Sequence, residues 1–197
     1  MTIINVSGGL DSTFAAWNYM VKNPDKKLLI HHCTIKKVTK RYGRHEFEEQ
    51  AFDNIIDYFK ANDFNFELYR TSISFDAKAE VLTNDQYLVN ACLGLMCFRS
   101  NIKVTTILVP ISKTDINNGY GYANSNNKRA KKIKQLRDMF LKKAKTLYPI
   151  EHLTRKEMLE KLPKDLVKLL YFCQGFHRTT SEPCGECDTC LETLPFL

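Results

Sequence analysis

The stretch Ser7-Gly8-Gly9-Leu10-Asp11-Ser12-Thr13 decides how this chain is read. It lies between a β-prone run at 2–6 and a stretch at 11–21 that sets Phe14, Trp17 and Val21 at helical spacing. Two adjacent glycines let a backbone turn sharply and bring its N–H groups close to an anion. A helix starting there adds its positive end. Ser7, Ser12 and Thr13 offer hydroxyls, and Asp11 suits such a loop if Mg²⁺ bridges its carboxylate to phosphates. The loop has no lysine, so it is not the GxxxxGK[ST] phosphate loop. A plain strand-to-helix turn capped by Ser or Asp is the competing reading.

Working outward, strands are expected at 28–35, 64–70 and 104–111, and helices at 45–61 and 84–98. The run at 104–111 is dense in β-branched residues, as in a strand buried on both faces, and the helix at 84–98 is apolar enough to be sandwiched. Alternating strands and helices predict an α/β fold, a parallel sheet with helices on both faces. Ligands of such sheets bind beyond the C-terminal strand ends, which singles out the loops at Ser7, Ile35 and Ser112. A basic helix is expected at 128–147, with Ile133, Leu136, Phe140, Ala144 and Leu147 as its apolar stripe and its lysines in water. Thr154-Arg155-Lys156-Glu157 reads as a capping box, and Pro163 as the start of a short helix.

The chain has 197 residues, 44% of them apolar and 26% charged, the balance of a folded soluble protein. It can bury roughly 70% of its unfolded surface without disulfides. It has no run near the roughly 20 apolar residues of a membrane span and no signal-peptide lead, so the cytoplasm is the expected compartment. There, seven cysteines should be thiols or metal ligands. The net charge of +7 suits a polyanion, either nucleic acid or nucleotide phosphate, though a solvated lysine-rich surface is the favoured reading of the charge alone.

Cys184-Gly185-Glu186-Cys187-Asp188-Thr189-Cys190 sets three thiols at i, i+3 and i+6, and Cys173 lies eleven residues upstream. Four thiolates can close a tetrahedral Zn²⁺ site, with Gly185 giving the turn its freedom. An iron–sulfur cluster is the rival ligand. Cys33, Cys92 and Cys97 lie on apolar segments and are expected in the core.

The loop resembles the SGGxDS loop of the ATP pyrophosphatases, the PP-loop enzymes with an adenine nucleotide alpha hydrolase-like fold. Loop and cysteine tail together resemble the 7-cyano-7-deazaguanine synthases of the queuosine pathway. Tyr42-Gly43-Arg44-His45 followed by Glu48 is similar to that family's YGQRHxxE stretch, with one residue missing. Asp115 stands where the family has the aspartate of GxNxxD, Gly119-Tyr120 is close to its SGYPD element, and Thr154 to Met158 resembles its threonine-lysine stretch. Departures are Pro110 and Ser112 in place of Gly and Asn, Gly121-Tyr122-Ala123 without Pro-Asp, and Thr83-Asn84-Asp85 in place of GRN.

The resemblance implies a ligase that uses ATP to turn a carboxy-deazaguanine and ammonia into a nitrile. It implies ATP and Mg²⁺ at the loop, Ser7 to Thr13 including Leu10, with adenine bordered by the backbone around Cys33. Arg44 and His45 would contact phosphate or substrate. Asp11, Ser12, Lys113 and Asp115 would carry the chemistry, Lys113 by neutralising pyrophosphate. Cys173, Cys184, Cys187 and Cys190 would hold Zn²⁺. The expected organisation is an ATP-binding core at 1–150 and C-terminal helices with the zinc site at 151–197, packed as one domain. The alternatives are a synthase for another small carboxylate, a tRNA-modifying sulfurtransferase with iron–sulfur chemistry, and a module that binds ATP without turnover. Nucleic acid is the less favoured partner, and a homodimer stays open.

Overall fold

The computed structural model describes residues 1–37, 44–75, 85–117, 133–136, 138–141, 144–173 and 182–196. Five strands form one sheet: β1 (Thr2–Asn5), β2 (Leu28–Lys37), β3 (Phe66–Phe75), β4 (Thr106–Leu108) and β5 (Lys145–Leu147). Their order is β3-β2-β1-β4-β5, and every neighbouring pair is parallel.

The side-chain alternation of the strands divides the core in two. Ile4, Leu28, Ile30 and Leu108 face α1 (Leu10–Lys22) and α2 (Arg44–Ala61), packing with Phe14, Met20, Phe52, Ile55 and Phe59. Ile3, Leu29 and Ile107 face the other way, onto Leu93 and Cys97 of α3 (Asp85–Arg99) and onto Leu141. Each such aliphatic or aromatic side chain contributes roughly 1.5–3 kcal/mol on burial. With helices on both faces, the α/β expectation holds.

Crossing from β3 through α3 to β4 brings the chain back beside β1 on the opposite face. The loops after β1 and β4 therefore part from each other, which is the arrangement that leaves a crevice at the strand ends. After β4 come α4 (Lys113–Asn117), then β5, α5 (Arg155–Lys161), α6 (Lys164–Val167), α7 (Asp188–Thr193) and a single 3₁₀ turn, Leu194–Phe196. Ile150, Leu153, Met158, Leu166 and Val167 share the core of α1 and α2. The capping box is present: Thr154 Oγ1 accepts from the Glu157 backbone, and the Glu157 carboxylate accepts from the Thr154 N–H. Pro163 caps α6.

Four expectations need correction. The segment at 128–147 is not one helix: residues 133–136 are helical, but Lys145–Leu147 is β5, and 128–132 lie outside the described residues. Strand β4 has an open edge whose N–H and C=O groups need partners, and pairing with it outweighs the helical spacing that Leu147 seemed to continue. Val21 is exposed, because the buried face of α1 runs through Phe14, Ala15, Ala16 and Met20. Helix α3 is not sandwiched, since Leu95 and Phe98 are exposed. Residues 33–35 are not a loop: β2 runs on to Lys37, paired with β3. Among the described residues, no helix is long and apolar enough to cross a membrane.

Candidate active site and metal centre

Val6 leaves β1 with its N–H bonded to the His31 carbonyl, and the next residues make the loop. Gly8 has φ +87°, a conformation that strains any residue with a Cβ. A Cβ there would also stand 3.1 Å from the Glu48 carbonyl oxygen and 3.2 Å from the Phe52 nitrogen, so α2 packs straight onto the loop. Glu49 ties α2 to β2 through His32 Nε2, at 2.5 Å, and the Thr34 hydroxyl. Gly9 is the N-cap of α1 and supplies no side-chain cap, so no cap competes for an anion at that helix end. Ser12 holds the loop closed: its hydroxyl accepts from the Ser7 N–H at 3.2 Å and donates to the Gly9 carbonyl at 3.3 Å.

The loop after β4 meets this one across the crevice. Ser112 and Asp115 cap α4 reciprocally. The Asp115 Oδ2 accepts from Ser112 N and Oγ at 3.1 and 2.9 Å, and Ser112 Oγ accepts from Asp115 N at 3.2 Å. Arg155, the first residue of α5, lies between the two loops. Its Nη2 is 3.3 Å from Asp115 Oδ1, its Nε 3.9 Å from Asp11 Oδ2, and its Nη1 3.1 Å from Glu192 Oε2. Burial and the neighbouring Asp115 carboxylate raise the Asp11 pKa to about 6, against the opposing pull of Arg155 and Ser112. Asp11 Oδ1 is buried without a hydrogen-bond partner among the described residues. A carboxylate oxygen left bare in this way fits a hard cation such as Mg²⁺.

The cleft is lined by Ser7, Gly9, Asp11, Glu48 and Arg155, and closed by Tyr171, Cys173 and Thr189 from the C-terminal segment. Tyr171 N donates to the Gly8 carbonyl at 3.0 Å. Of the residues expected at the site, Ser7, Gly8, Gly9, Asp11, Ser12 and Asp115 come together. Leu10 also lines the cleft, but its side chain is in the core. Thr13 is 0% exposed and outside the lining, so its hydroxyl does not reach the cleft. Lys113 is exposed and outside the lining too, its charge lying near Glu157. Cys33 lies within β2, half-buried, with burial pushing its thiol up to about 11. Arg44 and His45 open α2, but their side chains lie outside the described residues. So do 118–123, 83 and 84.

The cysteines converge as well. The sulfurs of Cys173, Cys184, Cys187 and Cys190 all lie within 4.8 Å of one another and could hold a metal ion. Tetrahedral Zn–S arms of about 2.3 Å imply sulfurs roughly 3.8 Å apart, and Cys184 Sγ lies 3.7 Å from Cys190 Sγ. A cubane cluster would hold its thiolates farther apart, each on a different corner. Gly185 has φ +73°, as its turn requires. Backbone N–H groups of Glu186 and Cys187 lower the Cys184 pKa, which favours the ligating thiolate. Cys97 is buried as expected, whereas Cys33 and Cys92 are half-buried.

No family model matches this chain, and no curated protein does. Among solved structures it is similar to the U34-tRNA thiolase NcsA from Methanococcus maripaludis, a structure that includes a 4Fe–4S cluster. The TM-score is 0.45 at 10% identity, over 99% of this chain and 62% of that one. The chain thus spans less than two thirds of that structure's length. A likeness this loose does not extend to chemistry.

Proposed function

We propose that this protein is a PP-loop enzyme that activates a small carboxylate with ATP, releasing pyrophosphate. Its proposed substrate is 7-carboxy-7-deazaguanine, converted with ammonia to 7-cyano-7-deazaguanine. The observation that carries the reading is the meeting of the Ser7–Ser12 loop with Asp115 at the point between β1 and β4 where the strand order reverses. That is where an α/β sheet binds a nucleotide, and the loop there offers backbone N–H groups with no lysine.

The substrate carboxylate attacks the α-phosphorus of ATP. The bond to the bridging oxygen breaks, and its electron pair leaves with pyrophosphate. Ammonia displaces AMP from the acyl adenylate to give the amide. A second ATP adenylates the amide oxygen, and loss of AMP and a proton leaves the nitrile. Positioning and charge stabilisation are the protein's share. Ser7, Gly8 and Gly9 cradle the phosphates, Ser12 keeps the loop in shape, and Asp115 orients the amine or the substrate. Asp11 would hold Mg²⁺, which screens charge on the phosphates. The four cysteines would hold Zn²⁺ as a structural tie, a role supported by their close spacing.

The test is incubation with ATP, Mg²⁺, ammonium and the acid, with mass spectrometry for amide and nitrile. Formation of either supports the substrate. ATP cleavage with a different carboxylate, and neither product with this one, would leave only the adenylation chemistry. Iron in excess of zinc, with absorbance near 400 nm, would favour the sulfurtransferase instead.

A further inference from the structure

Arg155 is the only cation among the described residues that line the cleft, and it faces three carboxylates: Asp11, Asp115 and Glu192. Three acids around one base is an odd balance for a structural ion pair, and burial already holds the Asp11 pKa up at about 6. The guanidinium side chain is 15% exposed, so its field is less screened than that of a surface lysine. Its planar fork suits phosphate oxygens, which it can hold two at a time. Its longest contact, 3.9 Å, is to Asp11 in the phosphate loop, and its tighter ones are to Asp115 and Glu192. The two terminal nitrogens are thus held by Asp115 and Glu192, while the Nε edge is only loosely held toward the Ser7–Ser12 loop.

We infer that Arg155 is the residue that takes up the charge of the departing pyrophosphate, and that Glu192 positions it. The inference rests on the proposed ATP chemistry and adds to it a residue for the leaving group, in place of Lys113. When the bond between the α-phosphorus and the bridging oxygen breaks, the new negative charge appears on pyrophosphate beside Arg155. Stabilising that charge requires a cation already in place. Glu192 is two residues beyond Cys190 on α7, so one arm of the cysteine cluster holds the cation of the cleft. The other arm reaches the loop itself, through Tyr171 N to the Gly8 carbonyl, two residues before Cys173. The cluster is thus built into the wall of the cleft.

The test is calorimetric titration of the metal-loaded protein with inorganic pyrophosphate and Mg²⁺, beside steady-state kinetics with ATP. Arg155→Gln should weaken pyrophosphate binding about tenfold or more, and Arg155→Lys by less, since an ammonium keeps the charge but loses the fork. Glu192→Gln should raise the KM for ATP and weaken pyrophosphate several-fold, with the urea midpoint unchanged. A merely structural role predicts the reverse: a shifted midpoint with pyrophosphate affinity intact. If Arg155→Gln does not fold, Arg155→Lys and the exposed Glu192→Gln decide the matter. Pyrophosphate affinity within twofold of wild type in the folded variants overturns the inference alone. A wild-type protein that neither splits ATP nor binds pyrophosphate overturns the proposed function, and the inference with it.

Discussion

The Ser7–Ser12 loop and the cysteine cluster, through Cys173, border one cleft, yet they are held in shape by different means. The loop is a backbone device. Gly8 at φ +87°, the Ser7–Ser12 hydrogen bonds and the helix that follows are fixed by the sheet core beneath them. The cluster is a side-chain device: Cys173 and Cys190 are buried, and residues 182–187 enter it without helix or strand. The loop should therefore survive without a ligand. The cluster should depend on its metal, because four thiols at this spacing gain their order from the ion they share.

The largest expected effect breaks the cluster and spares the sheet. Cys187→Ser should reduce bound metal from about one per chain toward none. It should also cost about 3 kcal/mol or more of stability, as loss of a metal site commonly does. Metal analysis and thermal melts with and without chelator check this. An unchanged melting temperature would remove the structural role.

Next comes the footing of the loop. His31 is fully buried, with Nδ1 2.5 Å from Asn5 Oδ1 and Nε2 2.9 Å from Thr71 Oγ1, so it ties β1, β2 and β3 together. Burial, with His32 beside it, lowers its pKa from 6.5 to about 4. The native state thus holds it neutral while the unfolded chain takes up a proton. Stability is unaffected above pH 6.5 and falls as pH drops from there toward 4, at up to about 1.4 kcal/mol per unit. Urea midpoints at pH 7 and pH 5 should show a loss in wild type that is smaller in His31→Gln. Acid loss of metal is common to both and cancels in the comparison. Equal losses would contradict the assignment.

Gly8→Ala should cost about 2 kcal/mol, from the left-handed backbone and the close approach of α2. It should abolish ATP turnover while leaving the metal in place. Full turnover in this variant would mean that the loop is an ordinary turn. The smallest effect expected is that of Thr154→Ala, which removes the cap of the helix carrying Arg155. It should cost about 1 kcal/mol, read as a shift in urea midpoint. A turnover defect as large as that of Gly8→Ala would shift weight from the loop to α5.

The fold was legible in the sequence because its strands and helices differ in period. The run at 104–111 reads as a strand buried on both faces, and Ile107 and Leu108 are buried to opposite sides of the sheet, although the strand itself is only Thr106–Leu108. The site was legible where function depends on local order, in Ser7 to Ser12 and in the cysteine spacing. It was not legible where function depends on side chains brought together by the topology. Arg155 is 144 positions from Asp11 and 40 from Asp115, and nothing local marks it apart from Lys156. The hints were the resemblance of Thr154 to Met158 to a threonine-lysine stretch and the capping box, which fixes residue 155 at the first helical position, facing whatever that helix end approaches. Strand β5 was hidden for a similar reason: three residues following a helical pattern show no period of their own, and the open edge of β4 decides their state.

In the proposed chemistry the Ser7–Ser12 loop, with Asp11, directs ATP to cleavage between its α- and β-phosphates. Phosphorus NMR of the products, with Mg²⁺, ammonium and the carboxylate present, tests it most directly. AMP and pyrophosphate from wild type, and neither from a folded Asp11→Ala, is the predicted result. ADP and phosphate as the only products, or full turnover in Asp11→Ala, would contradict it.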